Sequence, residues 1–129
     1  MLSANFIAIV FGAVFVLAGL LGFVPNPIVA PDGIFAVNAA HNLVHVLTGL
    51  AFIAGVWAGH SRATILAIGI AYVAVTAIGF LTTGDTLLGL VHINVADRWL
   101  HAALAVVILA AGFLASEEQR TSTLKATTR

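Results

Sequence analysis

Polar residues in this chain are widely separated, and the gaps between them are as long as a membrane crossing. Roughly Phe6 to Val24 contains no charged and no strongly polar side chain. Ala39 to Ala58 is polar only in its first turns, and Ala96 to Ala115 repeats that pattern. Ala63 to Leu81 is interrupted only by Thr64, Tyr72 and Thr76. A helix rises 1.5 Å per residue, so about 20 residues cross the hydrocarbon core of a bilayer. The pattern therefore predicts an all-α, four-helix transmembrane bundle, with helices over residues 6–24, 39–58, 63–81 and 96–115 of a single domain spanning 1–115. Residues 116–129, SEEQRTSTLKATTR, read as a polar cytoplasmic tail. The first run reads as a retained helix and not a secretion signal. No Lys or Arg precedes it, and it is longer than the apolar region of a signal needs to be.

Composition agrees with this picture and narrows the chemistry. Of 129 residues, 61% are hydrophobic and 8% charged, against about a quarter charged in soluble domains. A lipid bilayer is thus the expected surrounding. The formal net charge of zero removes the electrostatic footprint that a nucleic-acid partner requires. There is no cysteine, which excludes disulfides, thiol catalysis, iron–sulfur clusters and cysteine-ligated zinc. Arg62 lies between the second and third helices, and Arg120, Lys125 and Arg129 follow the fourth, whereas the opposite loops carry only Arg98. The positive-inside rule then predicts a multi-pass protein of the inner (plasma) membrane with both termini cytoplasmic. Trp57 and Trp99 fall near opposite faces, as belt residues would.

The polar stretches FAVNAAHNLVH and VHINVADRWLH, at residues 35–45 and 91–101, echo one another. At an offset of 56 residues, Asn38 falls on Asn94, His41 on Asp97 and His45 on His101. At an offset of 57, Gly12 falls on Gly69 and Gly22 on Gly79. The chain reads as two parallel helical-hairpin repeats related by a pseudo-two-fold axis along the membrane normal, with the polar starts of the second and fourth helices facing one another. Asn38, His41 and His45 lie within about 60° of one helical face, as do Asn94, Asp97 and His101. Below them the faces continue as Gly49, Phe52 and Val56, and as Ala105, Ile108 and Gly112. That apolar continuation argues against an open channel, and the small residues invite close helix approach.

These residues admit several readings. His41 with His45, and Asp97 with His101, each have the i, i+4 spacing of metal ligands on one helix face. Together they would offer three imidazoles and a carboxylate to zinc, copper or iron at the extracytoplasmic end of the second and fourth helices. Asn38 and Asn94 would cap those helices or support the ligands, and His92 would be a supporting or further ligand. A haem held between His45 and His101 is a second reading, weighed down by the room a macrocycle needs. Proton handling or binding of a small molecule is a third. Against all of these stands a structural reading, in which the His, Asp and Asn residues only staple the two halves and the protein is a non-catalytic structural or interaction protein. No reaction is assigned. Asn42 and Arg98 hold equivalent flanking positions suited to capping or interface contacts, and His60 reads as an exposed loop residue. The spaced glycines suit packing within the bundle or in a homo-oligomer.

The segments VNAAHNLVHVLTG and HINVADRWLHAAL resemble the paired signatures of a bacterial family defined by domain of unknown function 4383. The resemblance runs from Phe6 to Ala115. It implies a small four-helix membrane protein and singles out Asn38, His41, His45, His92, Asn94, Asp97 and His101. Members of the family often carry Asn where this chain has Arg98. The resemblance implies no activity.

Overall fold

The structure is a computed structural model and describes residues 2–116. The tail expected over 116–129 lies outside the described residues except for Ser116, and so do Arg120, Lys125 and Arg129. Four helices follow in order: α1 Ala4–Leu21, α2 Ala39–Ala58, α3 Ser61–Leu81 and α4 Val95–Leu114. Each is long and apolar enough to cross a membrane.

Local chemistry sets the helix ends. Ser3, Asn38 and Asn94 are extended N-cap residues whose side chains accept from the backbone N–H three positions on. In α4 the cap is reciprocal, because the Asp97 carboxylate also accepts from the Asn94 backbone N–H. Helix α2 stops at Gly59, whose φ of 74° is the left-handed geometry that ends helices cheaply. Helix α1 stops at Leu21, earlier than the apolar run suggests. Phe23 and Val24 close tight turns onto Leu20 and Leu21 there, just before Pro25.

Large apolar side chains such as Leu17, Leu47, Ile70 and Val106 stand outward from all four helices. Burying such surface contributes roughly 25 cal/mol per Å², so a bundle with this exterior belongs in lipid. The chain is a multi-pass membrane protein.

Helix α1 packs chiefly on α2, and α3 on α4. The closest approaches fall at glycine. A Cβ at Gly49 would lie 2.6 Å from the Gly12 carbonyl oxygen, and one at Gly112 would lie 2.7 Å from Leu66. The small residues below the polar cluster therefore bring helices together inside each hairpin, not between α2 and α4. The core between hairpins contains Ala8, Phe15, Phe52, Ile65, Tyr72, Ala105 and Ile108. Burial follows the offsets seen in the sequence: Ala8, Gly12 and Phe15 of α1 correspond to Ile65, Gly69 and Tyr72 of α3. Likewise His41, His45 and Phe52 of α2 correspond to Asp97, His101 and Ile108 of α4.

Two loops cover one end of the bundle. In the first, β1 (Val29–Ala30) pairs in parallel with β2 (Phe35–Ala36). In the second, β3 (Thr86–Leu87) pairs antiparallel with β4 (Val91–His92). Strands of two residues are too short to leave an alternation in the sequence. The loops cross over, with β2 resting on α4 and β4 on α2.

Candidate metal centre

The N-cap geometry of α2 and α4 aims one turn of each helix inward. His41 is only 2% exposed, and His45, Asp97 and His101 are also buried. The rings of His41 and His45 are 4.7 Å apart between centroids, and that of His101 lies 5.6 and 6.0 Å from them. One ring nitrogen from each of the three falls within 4.8 Å of the others. The α2–α4 meeting is thus made by imidazole rings.

Two backbone carbonyls fix the proton positions. His41 Nδ1 lies 2.6 Å from the His92 carbonyl oxygen, and His101 Nδ1 lies 2.7 Å from that of Asp97. A carbonyl oxygen can only accept, so both Nδ1 atoms carry protons. In the neutral rings, the Nε2 lone pairs of His41 and His101 are then available. His41 Nε2 lies 3.1 Å from His45 Nε2, so His45 donates there. This is the arrangement in which metal-ligating histidines hold their second nitrogen.

The three imidazoles open on a cavity of about 200 Å³. Its remaining wall is mostly apolar: Val44 and Val75 from the helices, and Leu87, Val91 and Ile93 from the second loop. Tyr72 lines it too, with its ring stacked 5.5 Å from that of His101. Phe15 meets both His45 and Tyr72 edge-on. The sequence marked Tyr72 only as one of the interruptions of the third apolar run. Its place beside His101 depends on the packing of α3 against α4, which residue spacing within one helix does not reveal. The two carbonyls could not be found from side-chain patterns at all.

The other residues singled out from sequence divide in role. Asp97 lies within Coulombic reach of His101 and His92, but its carboxylate is bonded to the Asn94 backbone N–H, at 3.3 Å, and not to the three rings. His92 contributes its carbonyl to His41 and is itself half-buried. Asn38 and Asn94 cap their helices and each reaches the opposite loop, to Leu90 and Ile34 respectively. His60 is exposed at the start of α3.

Residues 5–114 match the family model described as domain of unknown function DUF4383. The chain belongs to that family. Comparison with curated proteins and with solved structures gave no match. The family match covers all four helices almost in full.

Proposed function

We propose that this DUF4383 protein binds a transition metal through His41, His45 and His101, at the extracytoplasmic end of α2 and α4. The observation carrying this reading is the convergence of three buried ring nitrogens within 4.8 Å. The 3.1 Å separation of His41 Nε2 and His45 Nε2 approaches the ~3.3 Å edge of a tetrahedron built on 2.0–2.1 Å zinc–nitrogen bonds. Binding requires His45 to give up its Nε2 proton or shift it to Nδ1. The set then has three imidazoles and a coordination position open to the cavity, which suits zinc, copper or iron. As a fourth ligand, Asp97 would first have to leave the Asn94 N–H. Otherwise its carboxylate serves as a nearby counter-charge. The matching burial of α1 with α3 and of α2 with α4 supports a duplicated hairpin as the origin of the site.

A second reading has its own observation. His41, His45 and His101 each have a hydrogen-bond partner within the protein. The same cluster would therefore serve as a structural staple between α2 and α4. Haem is disfavoured, because the adjoining cavity of about 200 Å³ falls below the ~300–1,000 Å³ usual for ligand and cofactor sites.

Metal analysis of tagless protein, purified without added metal or chelator, separates the readings. The metal reading expects close to one equivalent, or saturable uptake of zinc or cobalt, lost in His45→Ala and His101→Ala. Under a tenth of an equivalent with no uptake on titration leaves the staple as the function of the cluster.

A further inference from the structure

A second recess, of about 510 Å³, lies between the end of α1 and the start of α2. Gly22, Asn26, Asp32, Asn38 and Asn42 are among its walls. Asn42 is 3% exposed, yet its side-chain amide makes no hydrogen bond among the described residues. The exposed Asp32 carboxylate likewise has no hydrogen-bond or ion-pair partner among them. The little surface this amide keeps faces the hollow, so its hydrogen-bond partner must come from whatever fills that space.

The other half of the molecule indicates what fits there. Arg98 stands four residues after the Asn94 cap, as Asn42 stands after Asn38. Asn42 packs over Gly22 beside the end of α1, and Arg98 lies near Gly79 beside the end of α3. From that position the Arg98 guanidinium donates to the carbonyls of Thr82, at 3.1 Å, and of Gly84. It also lies 3.9 Å from the Asp85 carboxylate. The negative end of the α3 dipole favours a cation at that place, and the C-terminal end of α1 likewise borders the recess at Gly22, where the Asn26 amide already donates to the carbonyls of Leu21 and Val24. In the first half a carboxylate from a different loop position, Asp32, borders the hollow, and residue 42 is too short to bring a charge of its own.

We propose that the recess between α1 and α2 binds a small organic cation bearing N–H donors, a guanidinium or primary ammonium, in the place that Arg98 fills with its own side chain in the other half. Such a cation meets the Asn42 amide oxygen and the Asp32 carboxylate. The site is separate from the imidazole cluster and does not rest on metal binding. A phospholipid headgroup amine and a soluble cation share this chemistry.

The test uses asparagine-labelled full-length protein in nanodiscs of phosphatidylcholine, whose headgroup has no N–H. Methylguanidinium is titrated while the side-chain amide signals of Asn38 and Asn42 are followed by NMR. The expected result is a saturating shift with a Kd on the order of 1–10 mM, and none with tetramethylammonium at equal ionic strength. Asn42→Arg, which supplies the cation internally, and Asp32→Asn both remove saturation at Asn38. Asp32 is exposed, so that variant keeps the test valid if Asn42→Arg does not fold. A linear response, an equal response to tetramethylammonium, or unchanged saturation in Asp32→Asn overturns the proposal. Weaker apparent methylguanidinium affinity in phosphatidylethanolamine nanodiscs identifies the headgroup as the natural occupant, and unchanged affinity identifies a soluble cation.

Discussion

Asn38 and Asn94 make matching hydrogen bonds across the molecule: the Asn38 amide donates to the Leu90 carbonyl, and the Asn94 amide donates to the Ile34 carbonyl, both at 2.9 Å. Each side chain also caps its own helix through its amide oxygen. Aspartate could keep the cap but not the donor, so substitution separates the two roles. Losing the donor removes one hydrogen bond, whose net worth is about 0.5–1.5 kcal/mol. Asn38→Asp and Asn94→Asp are expected to lower the unfolding midpoint while preserving helix content. Because both bonds hold the same crossed loops, the double variant should lose measurably less than the sum of the singles. Thermal unfolding in one detergent checks this, and additivity within about 0.5 kcal/mol would mean that the bonds act independently.

Metal affinity should fall as pH falls. An imidazole binds a metal only through a deprotonated nitrogen, so protons compete with the ion at acid pH. With three imidazoles sharing the ion, zinc or cobalt affinity at about pH 4 is expected to be at least about tenfold weaker than at about pH 7.5. Competition titration with a chromophoric chelator of known pH dependence measures the difference. An affinity that does not change over this interval argues against histidine ligands.

How much of this was legible in the sequence depends on the range of the contact. The apolar runs gave four helices, because lipid demands a continuous span of some 20 residues. The Asn-x-x-(His/Asp)-x-x-x-His echo marked His41, His45 and His101, since residues three and four apart share a helical face. The echo also placed Asp97 with them, and Asp97 does share their face. Its carboxylate is engaged by Asn94 through a capping box, a competing local role for the same side chain. Contacts that depend on how the hairpins pack left no sequence trace. The stacking of Tyr72 on His101, the His92 carbonyl under His41, and the loop residues Leu87, Val91 and Ile93 over the cavity are all of this kind.

Gly49 should tolerate no side chain. A Cβ there meets the Gly12 carbonyl oxygen and Val16, so even alanine forces α1 away from α2. Gly49→Ala is expected to destabilise by about 1–3 kcal/mol, the usual cost of overpacking. Gly79 is the control: its nearest neighbour would be the tip of Ile93 at 3.1 Å, which can move aside. Gly79→Ala should be neutral or mildly stabilising, because alanine is favoured over glycine in helices by up to about 1 kcal/mol. Parallel unfolding of the two variants gives the comparison. Equal losses would show that close approach of α1 and α2 is not what Gly49 provides.

Arg98 should control the second loop through its fork of donors and not through its charge. Its guanidinium reaches the carbonyls of Thr82 and Gly84, which bracket the turn leading from α3 into β3. The ion pair with Asp85 is long, at 3.9 Å, and the Asp85 side chain is 60% exposed, so it contributes between nothing and about 1 kcal/mol. Lysine keeps the charge but cannot bond two carbonyls in the same fixed geometry. Arg98→Lys and Arg98→Met are therefore expected to speed hydrogen exchange across residues 85–93, whereas Asp85→Asn leaves it nearly unchanged. The same loop supplies Leu87, Val91 and Ile93 to the cavity wall and the carbonyl that orients His41. The two Arg98 variants should then also weaken metal binding, roughly two- to tenfold if the loss follows one or two hydrogen bonds of modest net strength. Exchange mass spectrometry and metal titration on the same three variants decide it. Faster exchange in Asp85→Asn than in Arg98→Lys would assign the loop to the ion pair instead.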